Sequence, residues 1–174
     1  MNGTKFKQLL IKIYFMQTTT SETISTLNDL VLINNDRIAG YEKALEELRS
    51  RDDKGAADSD LISLFETMIT DSREFRNELG KEVQVAGGEM AEGTMASGKI
   101  YRAWMDIKAL FSGKDRHAIL SSCETGEDAA QRAYKSALGE EDISADVRNI
   151  ISSQQVQLKR AHDEIKALRD ASKS

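Results

Sequence analysis

Proline is absent from all 174 residues, and cysteine, tryptophan and histidine are nearly so, with one, one and two copies. β-Sandwiches and α/β chains use proline at turns and sheet edges, whereas a helix interior rejects it, so its absence points to long helices. The single cysteine, Cys123, excludes an internal disulfide and any cysteine-rich zinc site. Nothing demands an oxidising compartment, and the expected location is the cytoplasm. Long hydrophobic runs are missing too. The best, from Leu9 to Met16, is interrupted by Lys12, is too short to span a bilayer and is followed by no small-x-small cleavage site, so it is neither a secretory signal nor a membrane span. Residues 1–20 read as a disordered or spurious N-terminal extension, with translation starting at Met16, and residues 21–174 as one domain.

Charge is plentiful but unevenly placed. The chain carries 24 basic and 29 acidic residues; residues 1–20 hold three lysines and no acid, leaving the remainder at net −8. An acidic body lacks the electrostatic footprint for nucleic acid and is repelled by anionic lipid, so neither partner is expected. With 40% hydrophobic residues the chain can build one sizeable core.

The apolar residues fall three and four apart, which is the seam of a helix in a bundle. Ile24, Leu27, Val31, Ile38, Tyr41, Leu45 and Leu48 mark a first helix capped by Ser21, and Arg51 to Asp58 a tight connection. Leu61, Phe65, Met68, Phe75, Leu79 and Val83 mark a second, ended by Gly87-Gly88. The third, about Asp115 to Leu138, uses Leu120, Cys123, Ala130, Tyr134 and Ala137; the fourth, about Ile143 to Ala171, uses Val147, Ile151, Leu158, Ala161, Ile165 and Leu168. Gly139 ends the third, and Asp142 or Ser144 caps the fourth. Between the second and third lies a connection too long for a hairpin turn. It carries a short amphipathic helix whose face, Trp104, Ile107 and Phe111, is expected to pack on the bundle. Short, long and short connections describe an all-α bundle of two antiparallel pairs joined by a crossover, the ferritin-like arrangement.

Each seam has one polar gap. Asn34, Ser72, Glu127 and Gln154 stand near mid-bundle, and reflecting the third helix onto the fourth through their turn sets Glu127 opposite Gln154. The expectation is a buried polar layer in which these side chains satisfy one another and hold register. On that pairing, Glu127→Gln leaves the fold intact at little cost.

The segments Asn34-Asn35-Asp36-Arg37-Ile38-Ala39-Gly40-Tyr41-Glu42, Tyr101-Arg102-Ala103-Trp104, Cys123-Glu124-Thr125-Gly126-Glu127-Asp128 and His162 to Arg169 resemble an uncharacterised bacterial four-helix-bundle family of the ferritin-like superfamily. The resemblance spans about Ser21 to Arg169. It implies a fold and no reaction, because that family is a domain of unknown function.

A ferritin-like fold raises the question of a carboxylate di-metal centre, which takes a Glu from each of two helices and a Glu-x-x-His from each of the other two. Lys114 and Lys159 stand three residues before His117 and His162, so neither Glu-x-x-His exists. No cofactor is therefore expected; the alternative is iron or another divalent metal on an atypical set drawn from Glu124, Glu127 and His162. A two-histidine zinc site from His117 and His162 is a weaker idea, since no carboxylate has a fixed spacing to them. Tyr41 and Tyr134 read as core residues with hydroxyl partners, Cys123 as an inert packed thiol, and Glu42, Glu46, Glu66, Glu74 and Glu78 as solvated faces. No nucleophile elbow or phosphate-binding glycine loop is present. The function expected is that of a non-catalytic bundle acting through its surface or by association, as a homo-oligomer or with a protein partner; a metal-binding ferritin-like protein is the alternative.

Overall fold

A computed structural model describes residues 3–50, 58–94 and 115–172. Among them are four helices and no strand: α1 (Gly3–Arg49), α2 (Ser59–Val85), α3 (Arg116–Leu138) and α4 (Ala145–Ala171). Asp115 caps α3 by accepting from the Ala118 N–H at 2.8 Å, and Ser144 caps α4 by accepting from the Val147 N–H. The expected start of the first helix at Ser21 is corrected. α1 is continuous from Gly3, so the stretch expected to be disordered is helical. After Gly3 no glycine or proline interrupts residues 4–20, and the Thr18-Thr19-Thr20-Ser21 run costs only tenths of a kcal/mol per residue, roughly, in helix propensity.

Side-chain bonds between helices set their directions. Arg49 meets Glu66 and Arg73 meets Glu42, so α1 and α2 are antiparallel. Asn34 meets Tyr134 while Tyr41 meets Glu127, so α1 and α3 are antiparallel as well. Tyr134 reaches Gln154 and Glu124 reaches Arg169, which sets α4 against α3. α2 and α3 are thus parallel, so α3 begins at the opposite end of the bundle from the end of α2. The chain after α2 turns back along α1. Asn28 donates to the Glu89 carbonyl and accepts from the Ala91 N–H, and Asn35 donates to the Gly93 carbonyl, so residues 88–93 lie along α1. At its far end Arg116 joins Asp58 and Asp60 at the start of α2. Trp104, Ile107 and Phe111, and the connection at 51–57, lie outside the described residues.

The core divides in two. One apolar cluster runs through Leu27, Leu30, Phe75, Leu79, Tyr134, Ile151 and Leu158, and the other through Tyr41, Leu45, Phe65, Met68, Leu120, Cys123 and Ile165. Between them sit buried polar side chains.

Candidate functional site: a polar layer across the bundle

Asn34, Ser72, Glu127 and Gln154 are all buried, at 0–1% exposure. They do not form one cluster. The structure instead sorts them into two hydrogen-bonded groups about two turns apart on α3.

The first group centres on a residue that the seam reading passed over. Arg37, 2% exposed on α1, places Nε and Nη2 at 3.1 and 2.7 Å from Glu127 Oε1, and its Nη1 donates to Ser72 Oγ at 2.7 Å. The Tyr41 hydroxyl donates to the same carboxylate oxygen at 2.5 Å, and the Arg37 guanidinium lies 5.8 Å from the Tyr41 ring centroid. The Ser72 hydroxyl in turn donates a hydrogen bond to the Met68 carbonyl. Burial disfavours the charged guanidinium, but the Glu127 charge and hydrogen bonds outweigh it and hold Arg37 more firmly protonated than usual. Burial, and then the Glu127 charge, push the Tyr41 hydroxyl and the Cys123 thiol well above their ordinary ranges, so both stay neutral. Glu127 Oε2 is buried and has no hydrogen-bond partner among the described residues.

The second group crosses all four helices. Asn34 on α1 donates to the Tyr134 hydroxyl on α3 at 2.7 Å; that hydroxyl donates to Gln154 Oε1 on α4 at 2.7 Å; and Gln154 Nε2 donates to Glu78 Oε2 on α2 at 2.7 Å. Burial raises the Tyr134 hydroxyl above its ordinary range despite the opposing bond from Asn34.

The expected pairing of Glu127 with Gln154 is therefore corrected. Helix register is set by Tyr134 against Gln154 and Asp128 against His162, not by the midpoint of the α3–α4 turn. The partner of Glu127 comes from α1. One signal was available: Arg37 lies three residues from Asn34 and four from Tyr41, so it shares their face and puts a charge where the seam should be apolar.

The residues weighed as metal ligands point to different partners. Glu124 is ion-paired with Arg169, Glu127 with Arg37, and the two ring nitrogens of His162 face Asp128 and Asp163 at 3.1 and 3.0 Å. His117 turns to the Arg169 carbonyl and Ser172, so the two histidines do not meet. Among the described residues no group of three or more His, Cys, Asp or Glu side chains is arranged to hold a metal ion. A di-metal centre needs several carboxylates converging on one cavity, and here the carboxylate of the first group faces a guanidinium. The donor set does not fit it.

A family described as "Domain of unknown function (DUF2383)" matches residues 22–140. The chain belongs to that family. The match takes in the bundle part of α1 together with α2 and α3 and stops before α4. No curated protein matches this DUF2383 chain. Among solved structures it is similar to a Mycobacterium smegmatis Dps1 mutant, F47E, with a TM-score of 0.70 and 9% identity over 87% of this chain and 97% of that one. At that identity the likeness establishes the fold, an all-α ferritin-like bundle, and nothing about chemistry.

Proposed function

We propose that this DUF2383 chain is a ferritin-like bundle without a catalytic centre, acting through its surface or by association with a partner protein or another copy. The observation that carries the reading is the Arg37 guanidinium held inside the bundle by Glu127 and Ser72. It supplies, from the chain itself, the positive charge that a buried carboxylate needs. The tyrosine hydroxyls and the thiol around it are neutral, and the Asn34, Tyr134, Gln154 and Glu78 side chains of the second group link the four helices. The expected setting is the bacterial cytoplasm, with neither nucleic acid nor membrane as partner. No helix among the described residues is long and apolar enough to cross a membrane.

One observation favours the alternative of a metal protein with an atypical ligand set: Glu127 Oε2 has no hydrogen-bond partner among the described residues. Elemental analysis of protein from cells grown with several metals, joined to a ferrous-iron oxidation assay, separates the two. The bundle reading expects well under one metal per chain and oxidation no faster than buffer. Stoichiometric iron with accelerated oxidation would overturn it.

A further inference from the structure

Glycine has the poorest helix propensity after proline, yet Gly80 stands buried in the interior of α2. The reason lies across from it. The Met90 thioether rests on the Gly80 backbone, so close that a Cβ at residue 80 would overlap its Sδ. Helix stability is given up at residue 80 to make a seat for one side chain of the segment that follows α2.

Residues 88–92 belong to no helix or turn, and side chains hold them to the bundle. Asn28 on α1 clasps both neighbours of Met90, donating to the Glu89 carbonyl at 3.0 Å and accepting from the Ala91 N–H at 2.8 Å. Asn35, two turns further along α1, donates to the Gly93 carbonyl. Within this strap Met90 and Ala91 pack on the first apolar cluster, while Glu89, Glu92 and Gly93 are exposed. Met90 is itself only partly buried, whereas Met68 is sealed in the core at 2% exposure.

A thioether is apolar, flexible and oxidisable, and its oxide is none of the first. When hydrogen peroxide meets Sδ, the sulfur lone pair attacks one peroxide oxygen and the O–O bond breaks. The sulfur loses two electrons and becomes a sulfoxide, and the departing oxygen leaves as water after proton transfer. The new oxygen needs a hydrogen-bond donor, and the seat has none to give. The Gly80 N–H is committed inside α2, and the cluster beside it is apolar. We infer that Met90 is an oxidation site for hydrogen peroxide, and that its sulfoxide unseats residues 88–93 from α1 and α2, a latch that a methionine sulfoxide reductase resets. The strap is built for this, since Asn28 and Asn35 bind it through a few neutral hydrogen bonds and the thioether supplies its anchor in the core.

The inference goes beyond the association reading and does not rest on it. Its test is peptide mass spectrometry joined to amide hydrogen exchange on the full chain treated with hydrogen peroxide. Met90 is expected to gain an oxygen about tenfold or more faster than Met68, and exchange over residues 86–94 to rise about tenfold or more while that of α3 and α4 stays unchanged. Methionine sulfoxide reductase with a thiol reductant reverses both. Methionines also stand at positions 1, 16, 95 and 105, so the same treatment is applied to Met90→Leu, a swap that nearly conserves volume; its exchange is expected to stay at the untreated level. Asn28→Ala opens the clasp without touching the sulfur, and is expected to raise exchange of the same residues with no oxidant and to speed Met90 oxidation. The inference is overturned if Met90 oxidises no faster than Met68, if exchange does not follow its oxidation or does not return with the reductase, or if Met90→Leu responds to peroxide as the unmodified chain does. Oligomeric state and metal content, which test the reading above, bear on none of these outcomes.

Discussion

Glu127 Oε1 accepts three hydrogen bonds from two side chains, and both members of its ion pair are out of water. Removing one member of such a pair is far more costly than removing both, because the survivor keeps a buried charge without a counter-charge. Glu127→Gln is therefore expected to lose about 3–5 kcal/mol in urea unfolding, against the small loss that pairing with Gln154 would have given. Replacing both partners, Arg37→Met with Glu127→Leu, recovers most of it, and a double-mutant cycle on these variants measures the coupling. Tyr134→Phe tests the second group: it leaves Gln154 Oε1 without its donor and Asn34 Nδ2 with only its bond to the Leu30 carbonyl, an expected loss of about 1–3 kcal/mol by the same measurement. The polar character of these positions is legible as gaps in an apolar seam. Their partners are not, because which side chains meet depends on how far one helix slides along another.

At the scale of elements, the end of α2 is the most tightly specified junction. The Gly88 N–H bonds the Val83 carbonyl and the Gly87 N–H bonds the Gln84 carbonyl, which is the Schellman arrangement, and Gly87 has φ +82°. Gly88 is needed for a different reason: a Cβ there would stand 2.8 Å from the Ile24 side chain. Gly87→Ala is expected to cost about 1–2 kcal/mol through the left-handed backbone alone, seen as a lower Tm with faster amide exchange over residues 83–88. Gly80 shows what the seam could not reveal. It is buried inside α2, where helix propensity argues against glycine, because Met90 of the returning chain lies over it with Sδ 2.3 Å from where a Cβ would be.

For the molecule as a whole, three buried groups govern the response to alkali. Cys123, Tyr41 and Tyr134 all hold their protons more tightly when folded than in the unfolded chain, whose thiol and phenols titrate near about 8.5 and about 10. Below those values all three are neutral in both states, and their contribution to stability is fully present. Above them the unfolded chain sheds protons that the folded one retains, so stability falls by up to about 1.4 kcal/mol per pH unit per group. The urea midpoint is expected to hold from neutrality to about pH 8 and to fall beyond it. Cys123→Ala should remove the first part of that slope; a midpoint unchanged up to pH 10.5 would contradict the burial of these groups.

The sequence by itself determined the helices, their seams, the glycine stop at Gly87-Gly88 and a cap for the last helix at Asp142 or Ser144, of which the structure uses Ser144. These depend on periodicity and backbone chemistry within a few residues. It also determined the crossover, since a short, a long and a short connection leave one sensible order of four antiparallel neighbours. The same local rules misplaced the start of α1: a cap residue such as Ser21 begins a helix only where the chain before it cannot continue one. Only the tertiary structure decided that Glu127 belongs to Arg37, that Gln154 belongs to Tyr134, and that Glu124 and His162 are claimed by other partners. A seam states which side of a helix is buried, but a shift of one or two turns along the axis keeps that side buried and changes every side chain it meets.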